Sequence, residues 1–195
     1  MEFIQNFDVY VATLINGLGI ITAILAGLLM YLSSVFPILP YAVIMPFLFQ
    51  YFGLPLGFVI AWVLTCLGCF TAYKIVKITN DRLLKIKIIK KHELLLTKWM
   101  MIVKSSSLEQ FVLMLSIPFI PAFMMNIVSA VSGMSRRKYI VGILIGKAFL
   151  LVFWGFIGVS LVESFENPNN LLLIIILLGF AFIISKLVRN RYGIE

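Results

Sequence analysis

The sequence predicts an all-α integral membrane protein with about four transmembrane helices. Two re-entrant helical hairpins, arranged as an inverted repeat, and one amphipathic cytoplasmic helix complete the expected fold. Three observations carry this prediction. The 195 residues are 62% hydrophobic and 12% charged, with a mean hydropathy of +1.09, whereas soluble domains carry about 25% charged residues. Such a chain cannot cover a soluble surface. Next, two charge-free stretches share one pattern: VFPILPYAVIMPFLFQYFGL (35–54) and SIPFIPAFMMNIVSAVSGM (116–134). Each contains Pro-x-x-Pro near its start (Pro37 and Pro40, then Pro118 and Pro121) and ends with a turn glycine near its close, Gly53 or Gly133. Finally, the basic residues are clustered, which fixes the topology.

Residues 9–32 are long enough for a span, since about 20 apolar residues cross a bilayer. MEFIQNFDVY has no Lys or Arg, so it lacks the basic start of a signal peptide and the first apolar run is expected to be retained. Residues 35–54 are expected to form the first hairpin. Pro37, Pro40 and Pro46 cannot all sit in one regular helix, because each removes a donor and clashes one turn back. Residues 55–73 read as a span, with Pro55 suited to its first turn. Residues 74–104 mix nine Lys and Arg with Leu, Ile, Met and Trp99, the pattern of a helix lying on the membrane with snorkelling lysines. The second hairpin is expected over 108–134, and spans over 139–162 and 171–188.

With both proline-broken stretches as hairpins, segments 74–104, 135–138 and 186–195 fall on one side and hold fifteen of the sixteen basic residues. That side is the cytoplasm by the positive-inside rule. Both termini are then cytoplasmic, the first hairpin enters from outside and the second from inside. Treating the two stretches as kinked full spans moves six basic residues outside. Broken apolar segments at matching places in two halves point to a transport site.

Hairpin tips within the bilayer expose backbone polar groups, which are tolerated only against protein or a wet cavity. Asn126 offers a donor and an acceptor there, and Ser116, Ser129 and Ser132 could add hydroxyls. Lys147 is the charge inside a span, eight residues past Tyr139, hence about 12 Å along a helix. A central lysine costs roughly 2.5–3.5 kcal/mol, so it faces a cavity or partner, or snorkels to the surface. The candidate substrate-binding set is Asn126, Lys147, Pro118, Pro121, Pro37, Pro40 and Gly133. Lys85, Lys87, Lys90, Lys91, Arg136 and Arg137 form a candidate lipid-headgroup surface. The span over 139–162 contains no carboxylate before its end, and none lies between Asp8 and Asp81, which favours uncoupled movement.

Cys66 and Cys69 form C-x-x-C inside an apolar helix, where redox or metal chemistry lacks polar surroundings. His92 sits alone in a Lys-rich stretch. No nucleotide loop, metal cluster or hydrolase signature is visible, and no nucleophile–base pair. The chain is therefore not expected to be an enzyme, or to use a cofactor or metal, or to bind nucleic acid.

The run IPFIPAFMMNIVSAVSGMSRRKYIVGILIGK resembles the second half of the DedA superfamily, and within it the VTT-domain (SNARE-associated Golgi protein) branch. The resemblance covers about residues 30–162 and rests on Pro118-x-x-Pro121, Asn126, Gly133, Tyr139 and Gly146–Lys147. It implies two re-entrant hairpins and the movement of lipids between leaflets. Family members often carry Arg where this chain has Leu115, many DedA proteins carry Arg where it has Pro121, and they place acidic residues in the first hairpin, where it has none. The expectation is a cell-membrane flippase or scramblase for phospholipid or a polyprenyl-phosphate carrier, with anionic membrane lipids as partners and homo-oligomerisation left open. The alternatives are a scaffold acting through 74–104 and a transporter of small solutes or ions.

Overall fold

The computed structural model describes residues 19–36, 38–83, 93–120, 122–165, 167 and 169–191. Among these, helices are the regular elements: α1 (Ile20–Val35), α2 (Tyr41–Phe52), α3 (Leu54–Leu83), α4 (Glu93–Ser105), α5 (Leu108–Ser116), α6 (Ala122–Val131), α7 (Arg136–Glu163) and α8 (Asn169–Arg191). Three are long and apolar enough to cross a membrane, over Leu54–Thr79, Arg136–Glu163 and Asn169–Asn190. These coincide with three of the four expected spans. The fourth, 9–32, lies partly outside the described residues, and its described part belongs to α1.

Each proline pair ends one helix and starts another. Phe36 and Ile117, the residues before Pro37 and Pro118, are extended at φ −128° and −80°, as the ring of a following proline requires. Pro40 then caps α2. Gly53 and Gly133 follow α2 and α6 at φ 74° and 75°, the left-handed region in which a side chain is strained. The break therefore lies between two helices. The stretch 35–54, expected as the first hairpin, holds the break and α2, and α1 packs against α2. The second element, expected over 108–134, contains α5, the break and α6.

Pro46 remains inside α2. It cannot donate to the carbonyl of Ala42. A Cβ on Gly158 would lie 2.4 Å from that oxygen and 3.1 Å from the Pro46 ring, so α7 approaches the irregular turn closely only because residue 158 is glycine.

Contacts give the two halves one construction. A Cβ on Gly68 of α3 would meet the Tyr31 carbonyl oxygen at 2.5 Å and Ser34 Cβ at 2.6 Å. On Gly146 of α7 it would meet Leu115 Cβ at 2.6 Å and the Val112 carbonyl oxygen at 3.1 Å. Ser34 and Leu115 each stand three residues before the first proline of their break. Gly27 faces Leu64 and Gly142 faces Phe111, so α1 runs parallel to α3, and α5 parallel to α7. Between halves, α2 packs on α7 and α6 on α3. The long helices point in opposite directions, because Cys69 meets Tyr139, Cys66 meets Ile143 and Trp62 meets Leu144.

Two apolar clusters divide the interior. One joins α3, α4, α5, α6 and the start of α7 around Tyr73, Phe111 and Tyr139. The other joins α1, α2, α3 and the middle of α7 around Met30, Met45 and Leu151. The stretch expected as one surface helix over 74–104 is divided. Its first ten residues extend α3, since no breaker interrupts the helix after Tyr73. Residues 84–92 lie outside the described residues. α4 buries Trp99 and Val103 against the first cluster, so this face is anchored in the protein core. Ser107 caps α5 in a capping box with Gln110, and its hydroxyl holds the exposed Glu109 carboxyl below the ordinary range.

Candidate functional site

The proline break leaves the last carbonyls of α1 without helical donors. Ile38, which would serve Ser34, donates to Phe36 instead. Asn126 of α6 fills that vacancy: its Nδ2 donates to the Ser34 carbonyl at 3.3 Å. The Tyr139 hydroxyl of α7 lies 2.9 Å from both Asn126 Oδ1 and the Cys69 carbonyl of α3, and shares its one proton between them. Tyr139 also stacks on Tyr73, with ring centroids 4.2 Å apart and planes 19° from parallel. Ser34 donates its own hydroxyl to Met30 O at 2.8 Å, leaving Tyr41 to donate to Ser34 Oγ across 3.2 Å. Asn126 is fully buried, so this polar knot joins α1, α3, α6 and α7 inside an apolar core.

Lys147 lies about two turns further along α7. It is 1% exposed, and its Nζ has no hydrogen-bond partner among the described residues. Its neighbours on the same face are Ile143, in one apolar cluster, and Leu150 and Leu151, in the other. The lysine thus marks the seam between the two clusters. The second break is level with it: the Ser116 hydroxyl donates to Val112 O at 2.8 Å and sits 3.4 Å from the carbonyl of Gly146. Of the serines singled out by sequence, Ser132 is bonded to Ser129 O, while the Ser129 hydroxyl is buried with no hydrogen-bond partner among the described residues. The Thr65 hydroxyl of α3 is in the same condition.

The remaining sequence candidates separate. Pro118 is half-buried, Pro40 and Gly133 are exposed, and Pro37 and Pro121 lie outside the described residues. Arg136 and Arg137 are exposed in the first turn of α7, and Arg136 stands over the Phe70 ring. Lys85, Lys87, Lys90 and Lys91 lie outside the described residues. The structure therefore brings Lys147 level with the second break and places Asn126 at the end of the first helix arm. Sequence reasoning did not single out Ser34, Tyr73 or the Cys69 carbonyl. Aligning the two halves on their proline pairs, which sets Ser34 opposite Leu115, is the signal that finds Ser34. The carbonyl and the ring stack have none.

A family model described as the VTT domain matches residues 36–160, from the first proline break to near the end of α7. Over 169 residues the chain is 26% identical to "Uncharacterized membrane protein YhjE" of Bacillus subtilis (strain 168), an alignment spanning 87% of this chain and 80% of that protein. No solved structure matches the chain. The matched region contains both breaks, the Asn126–Tyr139 knot and Lys147, and covers most of the sequence: this protein is a member of the VTT-domain family, of the DedA type.

Proposed function

We propose that the protein moves phosphate-bearing lipids, phospholipid or a polyprenyl-phosphate carrier, between the leaflets of the cell membrane, without covalent chemistry. The buried, unpartnered ammonium of Lys147 is the observation that carries this reading. A charge near the middle of a spanning helix is retained where it meets a counter-charge or water. An anionic phosphate passing the seam supplies that counter-charge. Asn126 acts beside it as the clamp that keeps the broken end of α1 in place.

In this reading α1–α2 and α5–α6 are re-entrant and form the two arms of an inverted repeat. The lengths support it: twelve, nine and ten residues in α2, α5 and α6 give about 14–18 Å each at 1.5 Å per residue, well short of the ~30 Å hydrocarbon core. The opposite directions of α3 and α7 support the inversion. The Ser135 turn and the end of α8 face the cytoplasm, where their basic residues belong, and Gly53 faces outside.

Reconstitution tests the reading. Liposomes containing the purified protein should expose inner-leaflet fluorescent phosphatidylglycerol to an external quencher within minutes, and Lys147→Met liposomes should not. Wild-type liposomes that hold the lipid as protein-free ones do would reject it.

A further inference from the structure

A separate groove of about 410 Å³ runs between the outer sides of α3 and α7. Trp62, Cys66, Phe70, Ile140 and Leu144 are among its apolar walls, and Arg136 stands at one end. The Arg136 guanidinium lies 5.1 Å from the centre of the Phe70 ring, and Lys74 Nζ lies 4.7 Å from the same centre. The two cations are thus no further apart than about one Debye length at 0.1 M salt. Neither has a carboxylate partner among the described residues. At the other end, the Trp62 indole donates to the Leu144 carbonyl at 2.8 Å.

We infer that this groove is a docking site for one anionic phospholipid, its phosphate between Arg136 and Lys74 and an acyl chain laid along the groove towards Trp62. The charge arrangement selects the occupant. Two neighbouring cations repel each other, and an anion between them turns that repulsion into two attractions. The one-sided polarity selects an amphiphile over free phosphate, because the rest of the wall offers an anion nothing. Arg136 to Leu144 is eight residues, about 12 Å along the helix, less than half of a ~30 Å hydrocarbon core. The docked lipid therefore belongs to a single leaflet, the one bordering the basic ends of α3 and α7. This inference deepens the transport reading, since it names where a lipid waits before reaching Lys147, but its binding test stands apart from transport.

The test uses the whole purified protein in phosphatidylcholine nanodiscs doped with a small fraction of lipid brominated on its acyl chain, which quenches nearby tryptophan. Brominated phosphatidylglycerol should quench more than brominated phosphatidylcholine at equal fraction, with a preference of roughly fivefold per contributing cation. Trp62→Phe should remove that excess, as should Arg136→Gln combined with Lys74→Gln, with helicity by circular dichroism unchanged. Equal quenching by both lipids, or an excess that survives either change, overturns the inference. The arms also separate it from the transport reading. Lys147→Met protein that no longer flips lipid but keeps the excess supports the groove. Wild-type protein that flips lipid without any excess rejects the groove and leaves transport standing.

Discussion

Asn126 donates to the carbonyl of Ser34 across 92 positions of sequence, so the arm that follows the second proline pair holds the end of the arm that precedes the first. Removing the amide leaves a buried carbonyl unsatisfied, which costs about 1–3 kcal/mol. Asn126→Leu should therefore lower the thermal unfolding midpoint in detergent more than Tyr139→Phe does, because the phenol shares one proton between two acceptors. The double variant should lose less than the sum of the single losses, since the residues share a bond. Additive losses would contradict a joined network.

Gly68 and Gly146 should respond alike to alanine. Each seats a helix of its own half at a distance a Cβ cannot occupy, 2.5 and 2.6 Å from the nearest atoms. Overpacking of this kind costs about 1–3 kcal/mol. Both should lower the midpoint in a melting experiment by comparable amounts, because the Tyr31 carbonyl oxygen and the Leu115 Cβ are each fixed by backbone and neither can rotate away.

Lys147 gives the opposite separation. Replacing a buried charge without a partner by an apolar side chain of similar shape is neutral or stabilising, so Lys147→Met should melt at or above the wild-type midpoint while losing lipid flipping. A variant that melts lower and flips normally would show that the ammonium serves the fold.

Pro46 and Gly158 form a third pair. Pro46→Ala restores a donor for the Ala42 carbonyl and should leave stability unchanged or higher. Gly158→Ala drives a methyl into that carbonyl, 2.4 Å away, and should destabilise by about 1–3 kcal/mol. Measured midpoints in the reverse order would contradict the close approach of α7 to this turn.

Orientation is open to labelling. With Cys66 and Cys69 replaced by alanine, single cysteines at the exposed positions Gln50 and Ser135 should react from opposite faces. An impermeant maleimide should reach position 50 in intact cells and position 135 only after permeabilisation. Reaction of both from one face would refute the proposed arrangement.

Much of this was legible in the residues. The two proline pairs and their closing glycines mark breaks that the structure contains, because a proline acts through its own ring and needs no distant partner. Lys147 stood out because a charge in an apolar run is visible in one dimension. Boundaries were harder. α1 could be read as part of an ordinary span, since its apolar face is continuous and only its packing on α3 shows that it ends as a partner of α2. The 74–104 stretch looked like a surface because of its lysines, yet Trp99 and Val103 are buried by α6, a contact that composition cannot announce. Asn126 was singled out for headgroup contact as a polar residue in an apolar stretch. That its amide answers Ser34 depends on folding the two halves together.

The position of Lys147 also has an electrical consequence on the transport reading. A fixed cation near the middle of the bilayer sits about halfway down the membrane voltage, so an anion arriving there from one face crosses half of that drop. At 100 mV this is worth about 1 kcal/mol, and its sign reverses with the leaflet of origin. The resting voltage of the cell would then bias which leaflet supplies the lipid, with no carboxylate relay and no coupled ion.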